Sequence, residues 1–151
     1  KERVEGFVAR AREEGVPVLA EGRVVPDAPT GGFYAAPVLF GPVPRGNALA
    51  RDEVFGPVLS VIPFENEADA IRLANGTPYG LVAGVWTRDA GRSLRVARAM
   101  RCGQVFVNGY GAGGGVELPF GGVKRSGHGR EKGFEALYEF SASKTIVLNH
   151  G

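Results

Sequence analysis

The sequence has few of the residues that build metal sites and disulfide frameworks. It contains one cysteine, Cys102, and two histidines, His128 and His150, among 151 residues. A single cysteine excludes a disulfide within the chain and indicates a reducing compartment, so we expect a cytoplasmic protein. Two histidines without accompanying ligands are too few for a zinc site, and the sequence predicts no bound metal.

Long apolar runs and a large excess of charge are also absent. No stretch approaches the ~20 apolar residues that a membrane span needs, so we expect no membrane partner. The formal net charge is only +2. The densest basic run, residues 124–132, is interrupted by glycines and has no stacking aromatic residue, which argues against nucleic-acid binding. The hydrophobic content of 44% and charged content of 23% are typical of one globular domain.

Glycine, in contrast, is abundant and concentrated in one segment. Half of the residues in 109–122 are glycine, and the segment ends in Pro119-Phe120-Gly121-Gly122. Glycine lets a loop adopt positive φ and lets its backbone approach another group closely. A bulky ring among these glycines, Phe120, indicates a side chain at the wall of a cavity. An exposed surface loop is the alternative that composition alone leaves open.

The same segment contains a misleading match to a dinucleotide-binding motif. Gly109, Gly111 and Gly114 satisfy G-x-G-x-x-G after an apolar run. In a true motif the glycines open a helix, whose N-terminus receives the pyrophosphate. Residues 116–122, which contain Pro119 and two glycines, cannot begin an amphipathic helix, so we reject this interpretation.

Apolar periodicity predicts alternating strands and helices along the chain. The predicted helices cover residues 1–14, about 67–75, a segment that Asp89 caps, and about 130–140. The predicted strands are residues 16–20, 34–40, 58–64, 81–87, 104–108 and 144–148. Because strands and helices alternate over residues 58–108, we expect an α/β fold with three layers, α/β/α, and a largely parallel sheet.

The pattern also makes finer predictions about individual segments. Pro37 should limit the second strand to an edge or an irregular pairing. The near-continuous apolar strand Leu81–Thr87 should be buried on both faces. The helix capped by Asp89 should turn Leu94, Ala97 and Met100 inward. For the terminal strand, Lys144–Leu148, pairing with another chain and pairing within its own sheet remain equally open.

Two groups of residues are candidates for chemistry. Cys102 is the sole thiol, but it has no histidine near it in the sequence, and small buried cysteines are common in protein cores. Glu53 and Phe55 stand immediately before a rigid Gly-Pro turn. There a carboxylate can bind a sugar diol while the ring covers a flat heterocycle. The alternative is a solvated Glu53 and a core Phe55.

Four segments, in order and at suitable spacing, resemble signatures of the aldehyde dehydrogenase superfamily. Residues 53–58 are similar to its E-x-F-G-P signature, and residues 79–87 to its Y-G-L-x-x-x-V-x-T segment. Residues 103–108 resemble its G-x-V-x-V-N strand. Residues 119–131 resemble its P-F-G-G-x-K-x-S-G-x-G-R-E motif. The resemblance covers essentially the whole chain and places it in the C-terminal part of that family.

The resemblance implies a fragment of a catalytic domain, with residues 1–141 in that domain and residues 142–151 as an oligomerisation strand and tail. It implies a parent enzyme that oxidises an aldehyde to a carboxylic acid, with NAD or NADP as the cofactor. It also implies a homo-oligomer, a dimer or a tetramer, assembled through Lys144–Leu148.

The resemblance further implies binding roles for particular residues. Glu53 binds the nicotinamide ribose and Phe55 packs beside the nicotinamide. Residues 109–120 line the aldehyde entrance, with Phe120 near the reacting carbon. The substrate-binding candidates are therefore Tyr110, Gly113, Gly114 and Phe120. The glycines of residues 111–115 replace bulkier residues found in many members, which leaves the choice of aldehyde open.

The resemblance implies no catalytic residue within this chain. The family's catalytic cysteine, its general-base glutamate and its dinucleotide-binding domain all lie upstream of the matching region. Cys102 stands where the family commonly has a small apolar residue. We therefore expect a fragment that is inactive alone, as a start at Lys1 inside a helical pattern also indicates. The alternative is a free-standing module that self-associates through its sheet edge and has no catalytic role.

Overall fold

The computed structural model describes residues 1–111 and 115–151. The chain divides into two compact units, Lys1–Glu65 and Asn66–Gly151. Both units combine α-helices with β-strands, and each is described by itself below. In the described part of the chain, no helix has the length and apolar character that crossing a bilayer requires.

The first unit consists of two helices and a three-stranded sheet. In chain order its elements are α1 (Glu2–Glu13), β1 (Val18–Glu21), β2 (Val38–Phe40), α2 (Ala48–Arg51) and β3 (Val58–Ser60). The sheet order is β1-β2-β3, with β1 antiparallel to β2 and β2 parallel to β3.

The core of the first unit forms where α1 and the sheet bury their apolar side chains. Phe40 in the central strand is fully buried, at 0% exposure. Val4 and Ala11, which repeat at helical spacing on one face of α1, belong to the same buried cluster. The amphipathic helix predicted over residues 1–14 is therefore confirmed, and its apolar face packs into this core.

Of the two outcomes predicted for the strand after Pro37, the edge position is wrong, whereas an irregular pairing is present, because the register between β1 and β2 shifts between Val18 and Ala20. Strand β2 begins one residue later, at Val38, and is the central strand of the sheet. Because Pro37 stands before the first paired residue, its missing N–H removes no bond from the ladder. Its carbonyl still accepts a hydrogen bond from the Gly22 N–H, at 2.8 Å.

The described residues of the second unit form two parallel strands, with helices before, between and after them. Its elements are α3 (Glu67–Asn75), β4 (Val82–Val85), α4 (Ala90–Ala99), β5 (Gln104–Val107), a 3₁₀ helix (Lys124–Ser126) and α5 (Glu135–Glu139). Strands β4 and β5 pair in parallel, and α4 packs against both of them and against α3.

Helix capping explains why α3 and α4 begin where the sequence predicts. The Asn66 side chain accepts a hydrogen bond from the Asp69 N–H, and the Asp89 side chain accepts one from the Arg92 N–H. Each satisfies a backbone donor that has no partner inside its helix. The bond from Arg92 also lowers the pKa of Asp89, because it favours the ionised carboxylate.

The α/β class and the prevalence of parallel pairing are confirmed. Two of the three described strand pairings are parallel, β2–β3 and β4–β5. Strand β3 belongs to the sheet of the first unit, and β4 and β5 form the sheet of the second. The arrangement in three layers stays a prediction, and so does the domain boundary after residue 141.

Three finer predictions for the second unit are wrong in whole or in part. Strand β4 is half-buried rather than buried on both faces, because a two-stranded sheet covers less surface than a wide one. The inward face predicted for the helix capped by Asp89 is wrong at Leu94, which is 58% exposed, whereas Ala97 and Met100 are half-buried. Ser93 is the buried residue of α4, and its hydroxyl donates to the Ala90 carbonyl at 2.7 Å. The last helix begins at Glu135 instead of about residue 130, because Lys132 and Gly133 have left-handed backbones, both with φ of 62°.

The terminal segment Lys144–Leu148 forms no strand within this chain. Residues 141–151 belong to no helix or ladder, and the side chains of Ile146, Val147 and Leu148 are 74%, 80% and 74% exposed. The alternative in which this segment pairs inside its own sheet is therefore wrong for the single chain. Its pairing with another chain stays a prediction.

Candidate functional site

Glu53 and Phe55 lie in an exposed turn between α2 and β3. The Phe55 ring is 85% exposed, which rules out the core role that the sequence left open for it in this chain. The Glu53 side chain is exposed too, and its carboxylate has no hydrogen-bond or ion-pair partner among residues 1–111 and 115–151. Both side chains are thus available to a ligand.

The backbone of this turn is held by packing, although the side chains of Glu53 and Phe55 are exposed. Val54, between them, is 8% exposed and shares a buried cluster with Val4 of α1. Gly56 packs so closely on α1 that a Cβ there would lie 2.5 Å from the Val4 Cγ2 atom. A side chain at this position would therefore displace the buried Val4 side chain.

A second candidate site is an aromatic pocket in the second unit, with a volume of about 280 Å³. It contains two of the residues that the sequence proposed for substrate binding, Tyr110 and Phe120. The Tyr110 ring packs against Phe106 with centroids 5.7 Å apart and planes inclined by 57°. The lining residues are Val82, Gln104, Phe106, Tyr110, Gly111, Gly115, Leu118, Phe120 and Lys132.

Two interactions determine where Phe120 sits in this pocket. Its N–H donates to the Glu131 carbonyl at 2.6 Å, and its own carbonyl accepts from the Glu131 N–H at 2.7 Å. The side-chain amide of Gln104, on β5, donates to the Pro119 carbonyl at 3.1 Å. The ring at the wall of a cavity, which the composition of residues 109–122 predicted, is therefore present. The other two substrate candidates, Gly113 and Gly114, lie outside the described residues.

The polar side chains of residues 119–131 have a structural role that the sequence did not reveal. The Lys124 ammonium donates to the carbonyls of Asn75 and Thr77, at 3.1 and 3.2 Å. The Ser126 hydroxyl accepts from the Gly80 N–H at 3.0 Å, and Arg130 donates to the Gly122 carbonyl at 2.9 Å. The motif's polar side chains thus bind backbone groups and hold the Phe120 loop in place.

A glycine allows this loop to lie directly against β5. A Cβ added at Gly103 would lie 1.6 Å from the Gly121 carbonyl oxygen, which is far inside van der Waals contact. The backbones of the strand and the loop therefore approach more closely than any other residue permits. This close approach explains why position 103, the first of the segment 103–108, is a glycine.

The surroundings of Cys102 support a structural role for its thiol. The Cys102 Sγ donates to the Gln104 carbonyl at 3.1 Å, and burial raises the pKa of the thiol. Among residues 1–111 and 115–151, no histidine or carboxylate bonds to the thiol. In the residues that the structure describes, no group of three His, Cys, Asp or Glu side chains has a metal-binding arrangement.

Comparison with known proteins identifies relatives of this chain. Residues 1–146 match the Aldehyde dehydrogenase family. The chain is 42% identical to 4-trimethylaminobutyraldehyde dehydrogenase of Oryzias latipes, covering 99% of this chain and 30% of that protein. It therefore spans about a third of the length of such curated relatives.

Solved structures resemble the chain in fold as well as sequence. A crystal structure assigned as an aldehyde dehydrogenase of Burkholderia cenocepacia superposes with a TM-score of 0.91 and 62% identity, over 99% of this chain and 32% of that one. The Mycobacterium tuberculosis aldehyde dehydrogenase complexed with NAD+ superposes with a TM-score of 0.86 and 38% identity, over 99% of this chain and 30% of that one.

The raised thiol pKa of Cys102 predicts slow alkylation. Because iodoacetamide reacts with the thiolate, native Cys102 should react several-fold more slowly near neutral pH than free cysteine does. The rate would be followed by mass spectrometry of the Cys102 peptide, and unfolding in urea, as the control, should restore the rate of free cysteine. A native rate equal to or above that of free cysteine would contradict a structural role.

Proposed function

Because this chain belongs to the aldehyde dehydrogenase family, we propose that it is the C-terminal portion of an enzyme that oxidises an aldehyde to a carboxylic acid with NAD+ or NADP+. The nicotinamide accepts the hydride that leaves the aldehyde carbon. In the family a cysteine upstream of the matching region forms the covalent intermediate. This chain supplies contacts to the cofactor and the substrate.

The availability of the Glu53 carboxylate and the Phe55 ring is the observation that carries the proposal. An ionised carboxylate is an acceptor of hydrogen bonds, which suits the two adjacent hydroxyls of a ribose. An exposed phenyl ring offers a flat apolar face to a heterocycle. Both groups project from one turn with a fixed backbone, so residues 53–57 fit the nicotinamide end of the cofactor. The relative that binds NAD+ supports a cofactor of this kind.

The aromatic pocket is the proposed entrance for the aldehyde. Tyr110 and Phe120 give it aromatic walls, which suit the apolar part of an aldehyde. Gly113 and Gly114 belong to the same proposed entrance on the strength of their place in the sequence. We also propose a cytoplasmic location, which rests on the single cysteine.

A self-association module without catalysis is the second candidate function. The exposed side chains of Ile146, Val147 and Leu148 are the observation that favours it. The two functions differ in what precedes Lys1. A long upstream reading frame with a cysteine motif and a dinucleotide-binding unit supports the enzyme, whereas a start codon close to Lys1 supports the module.

The chain on its own should not oxidise aldehydes with either cofactor. The family's nucleophile, base and pyrophosphate site lie outside it, and positioned groups supply most of the rate enhancement in such reactions. The measurement is aldehyde-dependent reduction of NAD+ or NADP+ by the purified chain. Turnover that disappears in Cys102→Ser would overturn both the expectation and the structural role of Cys102.

In the complete protein, Glu53→Gln should weaken the interaction with the cofactor. Losing a charged hydrogen bond to the ribose costs on the order of 1.5–3 kcal/mol, or about tenfold to a hundredfold in affinity. Cofactor binding and turnover are measured together, with Asp52→Asn as a control that neutralises the neighbouring exposed carboxylate. If Glu53→Gln leaves both affinity and turnover unchanged, Glu53 does not bind the cofactor.

Assembly through Lys144–Leu148 is tested by Ile146→Pro in the complete protein. Proline removes a backbone donor at the centre of the segment and blocks strand pairing there. We expect smaller oligomers in light scattering, with an unchanged circular dichroism spectrum. Ile146→Val keeps the donor and should keep the assembly intact. A folded Ile146→Pro protein of unaltered oligomer size would place the subunit interface elsewhere.

A further inference from the structure

The backbone at Phe55 has a conformation that its own side chain disfavours. Its φ is 56°, in the left-handed region, which a bulky non-glycine residue rarely adopts. Such a conformation persists only where the surrounding structure fixes it. The residues that hold this turn therefore also determine the direction in which the ring and the neighbouring carboxylate project.

Arg3, in the first turn of α1, binds the part of the turn that precedes Phe55. Its Nη2 donates to the Glu53 carbonyl at 2.6 Å, and its Nε donates to the Val54 carbonyl at 3.4 Å. One planar guanidinium therefore contacts two successive carbonyls. The two contacts fix the orientation of the peptide planes on either side of the Val54 Cα atom.

A second contact of Arg3 orients the guanidinium itself. Its Cζ lies 5.1 Å from the centroid of the Phe7 ring, one helical turn further along α1. This is a cation–π distance, and Phe7 packs against the core cluster of the first unit. The Phe7 ring, which is packed against the core, thus supports the Arg3 guanidinium whose N–H groups bind the turn.

The part of the turn that follows Phe55 is fixed independently. The Val58 N–H donates to the Gly56 carbonyl at 2.7 Å, and Gly56 itself lies against Val4. Phe55 is therefore the residue between two restrained segments. The Arg3 side chain restrains the segment that precedes Phe55, which includes Glu53.

We infer that Arg3 is a positioning residue, which holds the backbone of Glu53 and Val54 so that the Glu53 carboxylate and the Phe55 ring meet the cofactor. The inference rests on the function proposed for these two residues. Arg3 touches neither substrate nor cofactor and acts through the turn. The role needs the guanidinium fork, because a lysine ammonium is a compact charge that cannot reproduce the planar, two-nitrogen contact.

The test uses the complete protein with Arg3→Met, Arg3→Lys and a control on the same helix, Arg10→Met. The Arg10 side chain is exposed and has no recorded partner within the described chain. We measure the Kd for the cofactor, KM against kcat, and the isotope effect with an aldehyde deuterated at the carbonyl carbon. Both Arg3 variants should weaken cofactor binding by about threefold to tenfold and raise the isotope effect, because a displaced turn slows hydride transfer.

A merely structural role for Arg3 predicts a different result. Both Arg3 variants would then lower Tm and leave the Kd and the isotope effect of the folded protein unchanged, which would overturn the inference. If Arg3→Met does not fold, Arg3→Lys decides the matter by the same readouts. Arg10→Met should match the parent protein throughout, and equal weakening by that control would also overturn the inference.

Glu53→Gln separates failure of the inference from failure of the proposed function. If Arg3 acts through Glu53, the double variant Arg3→Met/Glu53→Gln should bind cofactor more tightly than the sum of the two single effects predicts. If Glu53→Gln weakens cofactor binding and Arg3→Met does not, the inference is overturned and the proposed function stays intact. A complete protein that binds no nicotinamide cofactor would overturn both.

Discussion

The left-handed backbone of Phe55 is the constraint on which the proposed cofactor-binding turn of the first unit depends. Because the Phe55 ring is exposed, burial does not stabilise this backbone conformation. The residues around Phe55 must therefore hold it. Two of those residues, Arg3 and Val4, lie on α1, whose apolar face is anchored in the core around Phe40. The amphipathic pattern of α1 thus contributes to packing and, through Arg3 and Val4, to the geometry of the turn.

Hydrogen bonds and close packing also hold the loop of the second unit that carries Phe120. Side chains that donate to or accept from backbone groups hold the loop, while the ring of Phe120 is left to form the pocket wall. Lys124, Ser126 and Arg130 satisfy backbone carbonyls and an amide that loop structure would otherwise leave to water. At Gly103 the strand and the loop meet backbone to backbone. These contacts account for the closely spaced glycine and basic residues of the motif.

Local signals in the sequence were sufficient for some elements and not for others. Helix α3 has the predicted bounds because Asn66 caps it and its apolar spacing is regular. The left-handed residues Lys132 and Gly133 delay α5, and the bridge between Phe120 and Glu131 precedes them. That bridge joins positions distant in sequence, so apolar periodicity carried no sign of it. The same reason applies to the conformation of Phe55, which depends on contacts with a helix some fifty residues away. Motif resemblance gave the candidate residues, and the structure supplied the interactions that place them.

A crystal structure of the complete protein with its nicotinamide cofactor tests the central claim most directly. The measured quantity is the distance from the Glu53 carboxylate oxygens to the hydroxyls of the nicotinamide ribose. The proposed function predicts at least one hydrogen bond of about 2.5–3.0 Å, with the Phe55 ring packed beside the nicotinamide. A bound cofactor that lies beyond the reach of both Glu53 and Phe55 would contradict the function proposed for this chain.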